Sequence, residues 1–218
     1  MDIKISHRIR EACPQINLAV IICEVKNPET SSALLSEMNE EVQRISLSYS
    51  LEEINKRQEI AATRRIYRTL KKDPNRYRPS AEALCRRIVR GIPIYKISTL
   101  VDIINIVSIR SGFSIGGFDI AKIQGNIRLD VGTLNDEFEA IGRGLLNVEG
   151  LPLYRDEVGG IGTPTSDNER TKISVDTTRL LMIINGYSGK DGLQETVDHS
   201  IQLLEKYAGL KRYEVKWI

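Results

Sequence analysis

Histidine is nearly absent: the 218 residues contain only His7 and His199, far apart and outside any cluster of cysteine and histidine. A zinc site is therefore not expected. A Ser-His-Asp or Cys-His relay would have to use one of these two, and neither sits in a loop of the kind such a relay needs. Any hydrolysis would rest on water positioned by backbone and hydroxyl groups, without metal or cofactor. Cysteine is also scarce. Cys13, Cys23 and Cys85 are odd in number and widely spaced, which fits buried thiols in a reducing compartment and excludes a disulfide framework. Long apolar runs are missing too. Leu18 to Cys23 and Leu180 to Ile184 fall far short of the roughly 20 residues that span a bilayer, so no membrane partner is expected. Ser6, His7, Arg8, Arg10 and Glu11 interrupt any apolar core of a signal peptide, and the expected address is cytoplasmic.

The chain is 41% hydrophobic and 28% charged, a globular composition, and its length suits one large domain or two small ones. The net charge of +2 hides an asymmetry: Lys56 to Lys96 holds 13 Lys/Arg against three acids, Glu59, Asp73 and Glu82. The rest of the chain is acidic. Such a division points to an acidic polymer as partner.

Periodicity predicts strands over Ile3 to Ile9 and Leu18 to Val25, then a short surface helix after Ser31. Leu51 to Lys72 reads as one long helix, Ser80 opens a second, and Ser98 to Arg110 a third, almost wholly apolar, with Gly112 as its C-cap. Asn126 to Val131, Leu153 to Arg155, Arg170 to Ser174, Thr178 to Ile184 and Tyr213 to Ile218 read as strands, and Asp191 to Ala208 as an amphipathic helix. Two glycine-rich stretches, Ser111 to Gly117 and Val158 to Thr163, read as loops where backbone approaches a ligand or simply turns. Neither is a nucleotide signature.

Arg57, Arg64, Arg65, Arg68, Lys71 and Lys72 are expected on the polar side of the long helix, followed by Arg76, Arg78, Arg86, Arg87 and Arg90. Too few acids are interleaved for i,i+4 pairing to neutralise them, which favours a phosphate-binding face over a solvated one or an acidic protein partner. Tyr67, Tyr77 and Tyr95 supply rings that can stack on unpaired bases.

Val101-Asp102-Ile103-Ile104-Asn105-Ile106-Val107, Gly116-Gly117-Phe118-Asp119, Ile120-Ala121-Lys122-Ile123 and Asn126-Ile127-Arg128 together resemble the tRNA-editing domain of the phenylalanyl-tRNA synthetase beta subunit. Arg78-Pro79-Ser80-Ala81-Glu82-Ala83-Leu84 and Glu169-Arg170-Thr171-Lys172-Ile173 resemble its freestanding members, so the resemblance covers roughly residues 75 to 185. It implies an α/β fold of layered, β-sandwich-like sheets covered by helices, and one editing-type tRNA-binding domain over residues 1–218. Within it, 1–72 would form N-terminal strands and the basic helix, 75–185 the motif-bearing core, and 186–218 a C-terminal helix and strand.

The activity implied is a trans-editing deacylase, not a synthetase, that hydrolyses the ester of a mischarged aminoacyl-tRNA presented by its 3′ end. A non-catalytic tRNA-binding module and an amino-acid sensor are the alternatives, and a homodimer is left open. The resemblance places Arg78, Ser80, Glu82, Asn105, Gly116, Gly117, Asp119, Gly159, Gly160 and Arg170 at the substrate. Asn105 and Thr171 would position the water, and Arg57, Arg64, Arg65, Arg68, Lys71, Lys72, Arg76, Arg86, Arg87 and Arg90 would hold tRNA. Two positions depart from the synthetase pattern: its histidine falls on Gly116, and the glutamate that reads the tyrosine hydroxyl falls on Ile183.

Overall fold

The computed structural model describes residues 1–218. Its centre is a pair of strands, β2 (Asn17–Glu24) and β9 (Arg179–Gly186), antiparallel from Asn17 opposite Gly186 to Glu24 opposite Arg179. Both are apolar on both faces. Ala19, Ile21 and Cys23 of β2 join Leu180, Met182 and Ile184 of β9 in one core, while Leu18 and Val20 join Leu181 and Ile183 in another. Side chains alternate faces along a strand, so a continuous apolar run demands a layer on each side.

The first layer is helical: α2 (Ser32–Ser48), α4 (Ser80–Val89), α5 (Thr99–Ser111) and α6 (Leu193–Ala208). The second is a sheet of β1 (Ile3–Ile5), β4 (Ile127–Val131), β7 (Pro152–Arg155) and β8 (Gly160–Gly162) in that order. In the central sheet β10 (Arg212–Trp217) flanks β2 and β3 (Ile115–Asp119) flanks β9, and a small hairpin joins β5 (Glu139–Ala140) to β6 (Gly144–Leu145). The result is an α/β sandwich-like layering, helices over sheet over sheet. No helix is long and apolar enough to cross a membrane.

The structure corrects five expectations. The strand expected over Ile3 to Ile9 stops at Ile5, because the Ser6 hydroxyl accepts the Ile9 N–H at 3.3 Å and caps a short helix, α1 (His7–Ala12). The helix after Ser31 is no short surface element: α2 has 17 residues and buries Leu34, Met38 and Ile45. The expected long helix divides at Arg57, whose extended backbone separates a turn at Ile54–Lys56 from α3 (Gln58–Thr69). Gly116 and Gly117 lie within β3 rather than in a loop, and Glu169–Thr171 forms a 3-10 turn where a strand was expected.

The division at Arg57 has a distant cause. Its guanidinium donates to the carbonyls of Ile109 (2.9 Å) and Arg110 (2.8 Å), which the end of α5 leaves free, and meets the Cys85 sulfur at 3.1 Å. Gly112 then ends α5 at φ 86°, a left-handed position suited to glycine.

Candidate functional site

On α5, Val101, Ile104, Asn105 and Ser108 fall at helical spacing on one face and form a wall of a cavity of about 370 Å³. Ser80 and Leu84 of α4, Ile115 and Gly117 of β3, and the segment from Thr163 to Ile173 close the other sides. Ile97 and Ile141 are the more exposed lining residues. The volume lies in the range, about 300–1,000 Å³, of sites that take small ligands. Gly117 keeps the cavity open: a Cβ there would lie 2.4 Å from Ile104 Cδ1 and 3.0 Å from Ile173 Cδ1.

Most hydroxyls in the lining are committed. Ser108 donates to the Phe113 carbonyl at 2.7 Å, Ser166 to the Asp167 carbonyl at 3.2 Å, and Thr163 accepts the Thr165 and Ser166 N–H groups. The Asn105 amide and the Ser80 hydroxyl make no hydrogen bond within the protein. Ser80 is free because Pro79 takes the N-cap position of α4, leaving Ser80 as its first helical residue. Asp167 is the third uncommitted group. Its Oδ2 accepts the Gly117 N–H at 3.1 Å, and its Oδ1 has no donor.

The glycines nearby shape the protein around that carboxylate. A Cβ at Gly162 would lie 2.7 Å from Asp167 Oδ1 and 2.6 Å from the Phe118 ring, and one at Gly116 would meet the same ring at 2.8 Å. Burial pushes the Asp167 carboxyl up to about 7, opposed only by the Gly117 N–H. The native state thus keeps a proton that the unfolded chain releases at the ordinary carboxylate value. Stability is lost as pH rises through the window between the two values. Asp167→Asn removes that penalty. At pH 8 it should raise unfolding stability by on the order of 2–4 kcal/mol, a gain that fades toward pH 4.5 in urea titrations. No gain at pH 8 would contradict the raised carboxyl.

Of the residues expected at the substrate, the fold brings Ser80, Asn105 and Gly117 to the cavity. The others serve the framework. Gly116 faces the Phe118 ring. Glu82 is buried and paired with Arg64 at 2.8 Å, with Arg78 at 3.5 Å and Arg86 at 3.9 Å. Asp119 accepts the Thr177 hydroxyl (2.9 Å) and the Ala121 N–H (3.1 Å), which fixes the turn after β3. The Gly159 N–H donates to Asp156, and a Cβ at Gly160 would strike Phe138 and Leu153. Arg170 makes a two-pronged contact with Asp156 at 2.9 and 2.7 Å, and Thr171, fully buried, donates to the Ile161 carbonyl. Ile183 lies between the two sheets, away from the cavity. Asp167, Thr163, Ser166 and Ile173 were missed. Thr163-Pro164-Thr165-Ser166-Asp167 has the composition of a turn, and nothing in it signals a cavity wall.

The basic stretch divides in two. Arg64 is 4% exposed and donates to Glu82, the Pro74 carbonyl and Asn75, so it is not on the polar face. Arg57 holds the end of α5, Lys72 donates to the carbonyls of Asn147 and Glu149, Arg86 to Leu51, and Arg87 to Pro93 while stacking on Tyr95. Tyr67, expected to stack on bases, is buried with its hydroxyl 2.9 Å from Thr165. Arg65, Arg68, Lys71, Arg76 and Arg90 remain exposed. Lys71 and Arg76 line one open groove with Arg8 and Tyr77.

The fold is that of a layered α/β protein with a partly open, mainly apolar cavity between α4, α5 and β3. The chain belongs to the B3/4 domain family, whose model matches residues 62–209, and it is a relative of the phenylalanyl-tRNA synthetase beta-subunit domain. An N-terminal fragment of the phenylalanyl-tRNA synthetase beta subunit from Pyrococcus horikoshii is similar at 14% identity, with a TM-score of 0.47. That similarity covers 96% of this chain and 49% of the fragment, so the chain spans about half its length. No curated protein matches the chain significantly.

Proposed function

We propose that this chain binds tRNA and hydrolyses the ester of a mischarged aminoacyl-tRNA, the aminoacyl group entering the cavity between α5 and β3. The observation that carries this reading is the cavity itself: amino-acid sized, walled by Leu84, Val101, Ile104, Ile115 and Ile173, with Asn105, Ser80 and Asp167 uncommitted. Family membership supplies the tRNA-related role.

The chemistry asked of the site is modest, because an aminoacyl ester is already activated. A water held by the Asn105 amide and the Ser80 hydroxyl adds to the carbonyl carbon. The bond to the ribose oxygen breaks, that oxygen takes a proton, and the free amino acid leaves. Holding the water and ester together in line is worth several orders of magnitude, and donors aimed at the oxyanion add more. No histidine is required at Gly116 for this.

Arg65, Arg68, Lys71, Arg76 and Arg90 are the tRNA-contact candidates that stay available to phosphates. Reversing Arg65, Arg68 and Arg76 to Glu together should weaken tRNA binding at least about 10-fold and flatten its dependence on salt. A panel of aminoacyl-tRNAs should show accelerated deacylation for at least one member with an aliphatic side chain. Salt-sensitive binding with no deacylation of any member would leave a binding module. An unchanged affinity in the triple variant would remove this surface from the proposal.

A further inference from the structure

Asp167 gives the cavity wall a carboxyl group that no cation of the protein meets. Lys172, the one basic residue in the lining, is paired with Glu169. No arginine or histidine lines the space. A carboxylate among apolar side chains is costly unless a partner meets it. Within the protein its Oδ2 accepts the Gly117 N–H, while Oδ1 has no donor and stays accessible at the cavity wall. A cationic group of a ligand held in the cavity would meet that oxygen. Leu84, Val101, Ile104, Ile115 and Ile173 make much of the same lining aliphatic.

From this juxtaposition we infer that the cavity is a receptor for the free α-ammonium group of an apolar α-amino acid, with Asp167 as the ammonium ligand and the aliphatic wall taking the side chain. The inference deepens, and rests on, the proposal that this cavity receives an aminoacyl group. It names a substrate class: esters whose α-amine is free. N-acylated and peptidyl esters are excluded, because an amide nitrogen carries no charge to set against the carboxylate. The same chemistry is offered by an ester on tRNA and by a free amino acid. The raised Asp167 carboxyl agrees with this, since a position that favours a proton on the carboxylate also favours another cation beside it.

The test compares matched pairs on the unaltered protein. In one arm, deacylation is measured for isoleucyl-tRNA and N-acetyl-isoleucyl-tRNA. In the other, calorimetry measures binding of L-isoleucinamide, N-acetyl-L-isoleucinamide and free L-isoleucine. Acetylation should lower the acceleration over each ester's own spontaneous rate at least about 10-fold and abolish binding of the amide. Asp167→Asn should slow the free-amine ester by a similar factor and leave the acetylated ester unchanged, which a merely structural role would not do. Equal rates or equal binding for the two members of a pair overturn the ammonium site. Discriminating amide binding without hydrolysis of either ester upholds the ammonium site while the deacylase reading falls. Free L-isoleucine binding as tightly as its amide then identifies the free amino acid as the source. Failure of both arms overturns both.

Discussion

Replacing Glu82 by alanine should lower the unfolding free energy by about 3–5 kcal/mol, the largest stability effect expected of a single side chain in this protein. Glu82 and Arg64 are 2% and 5% exposed in their side chains, and their 2.8 Å contact is shut away from water. Arg78 and Arg86 also converge on the same carboxylate, and the buried Nε atoms of both make no hydrogen bond. Truncation therefore leaves three guanidinium groups around an empty position. Glu82→Gln should lose less, since it can still accept from Arg64, and Arg65→Glu, on the exposed face, should stay within about 0.5 kcal/mol. Urea midpoints measured for the three variants check the ranking. A loss below about 1 kcal/mol in Glu82→Ala would mean that solvent reaches the cluster.

Gly117→Val should reduce deacylation at least about 100-fold while tRNA affinity is retained. The backbone of β3 is extended at this point, so a β-branched residue is conformationally acceptable. Space is the obstacle. A Cβ alone would sit 2.4 Å from Ile104 and 3.0 Å from Ile173, and the two methyl groups of valine fill the gap that joins α5 to the Thr163–Ile173 segment. Overpacking of this kind costs about 1–3 kcal/mol, which the fold should tolerate. The substitution closes the cavity without touching Arg65, Arg68, Lys71 or Arg76. Wild-type deacylation rates in Gly117→Val would place the reaction elsewhere.

Individual elements were legible because their signals are local, whereas the layering came from the family resemblance. The apolar runs from Leu18 and to Ile184 announce strands, and the apolar run to Arg110 followed by Gly112 announces a central helix with its C-cap. What escaped depends on partners far along the chain. Arg57 interrupts a helical pattern because it caps carbonyls 52 and 53 residues away. Arg64 has the sequence context of a surface cation but turns toward Glu82, 18 residues on. Charge counting registers how many cations a stretch carries, not which of them the fold consumes. The site divides the same way. Asn105 and Gly117 lie on motifs, whereas Asp167 gains its chemistry only when β3 and its neighbouring glycines close around a residue that otherwise reads as part of a turn.

Single-turnover deacylation tests the cavity's role most directly. Wild type and Gly117→Val are mixed in excess with the best-hydrolysed aminoacyl-tRNA of the panel, and with a no-protein control, at tRNA concentrations where both proteins are saturated. The cavity account predicts a wild-type rate well above the spontaneous one and a variant rate indistinguishable from it, at equal tRNA affinity. A wild-type rate no faster than spontaneous hydrolysis for every aminoacyl-tRNA in the panel would contradict it.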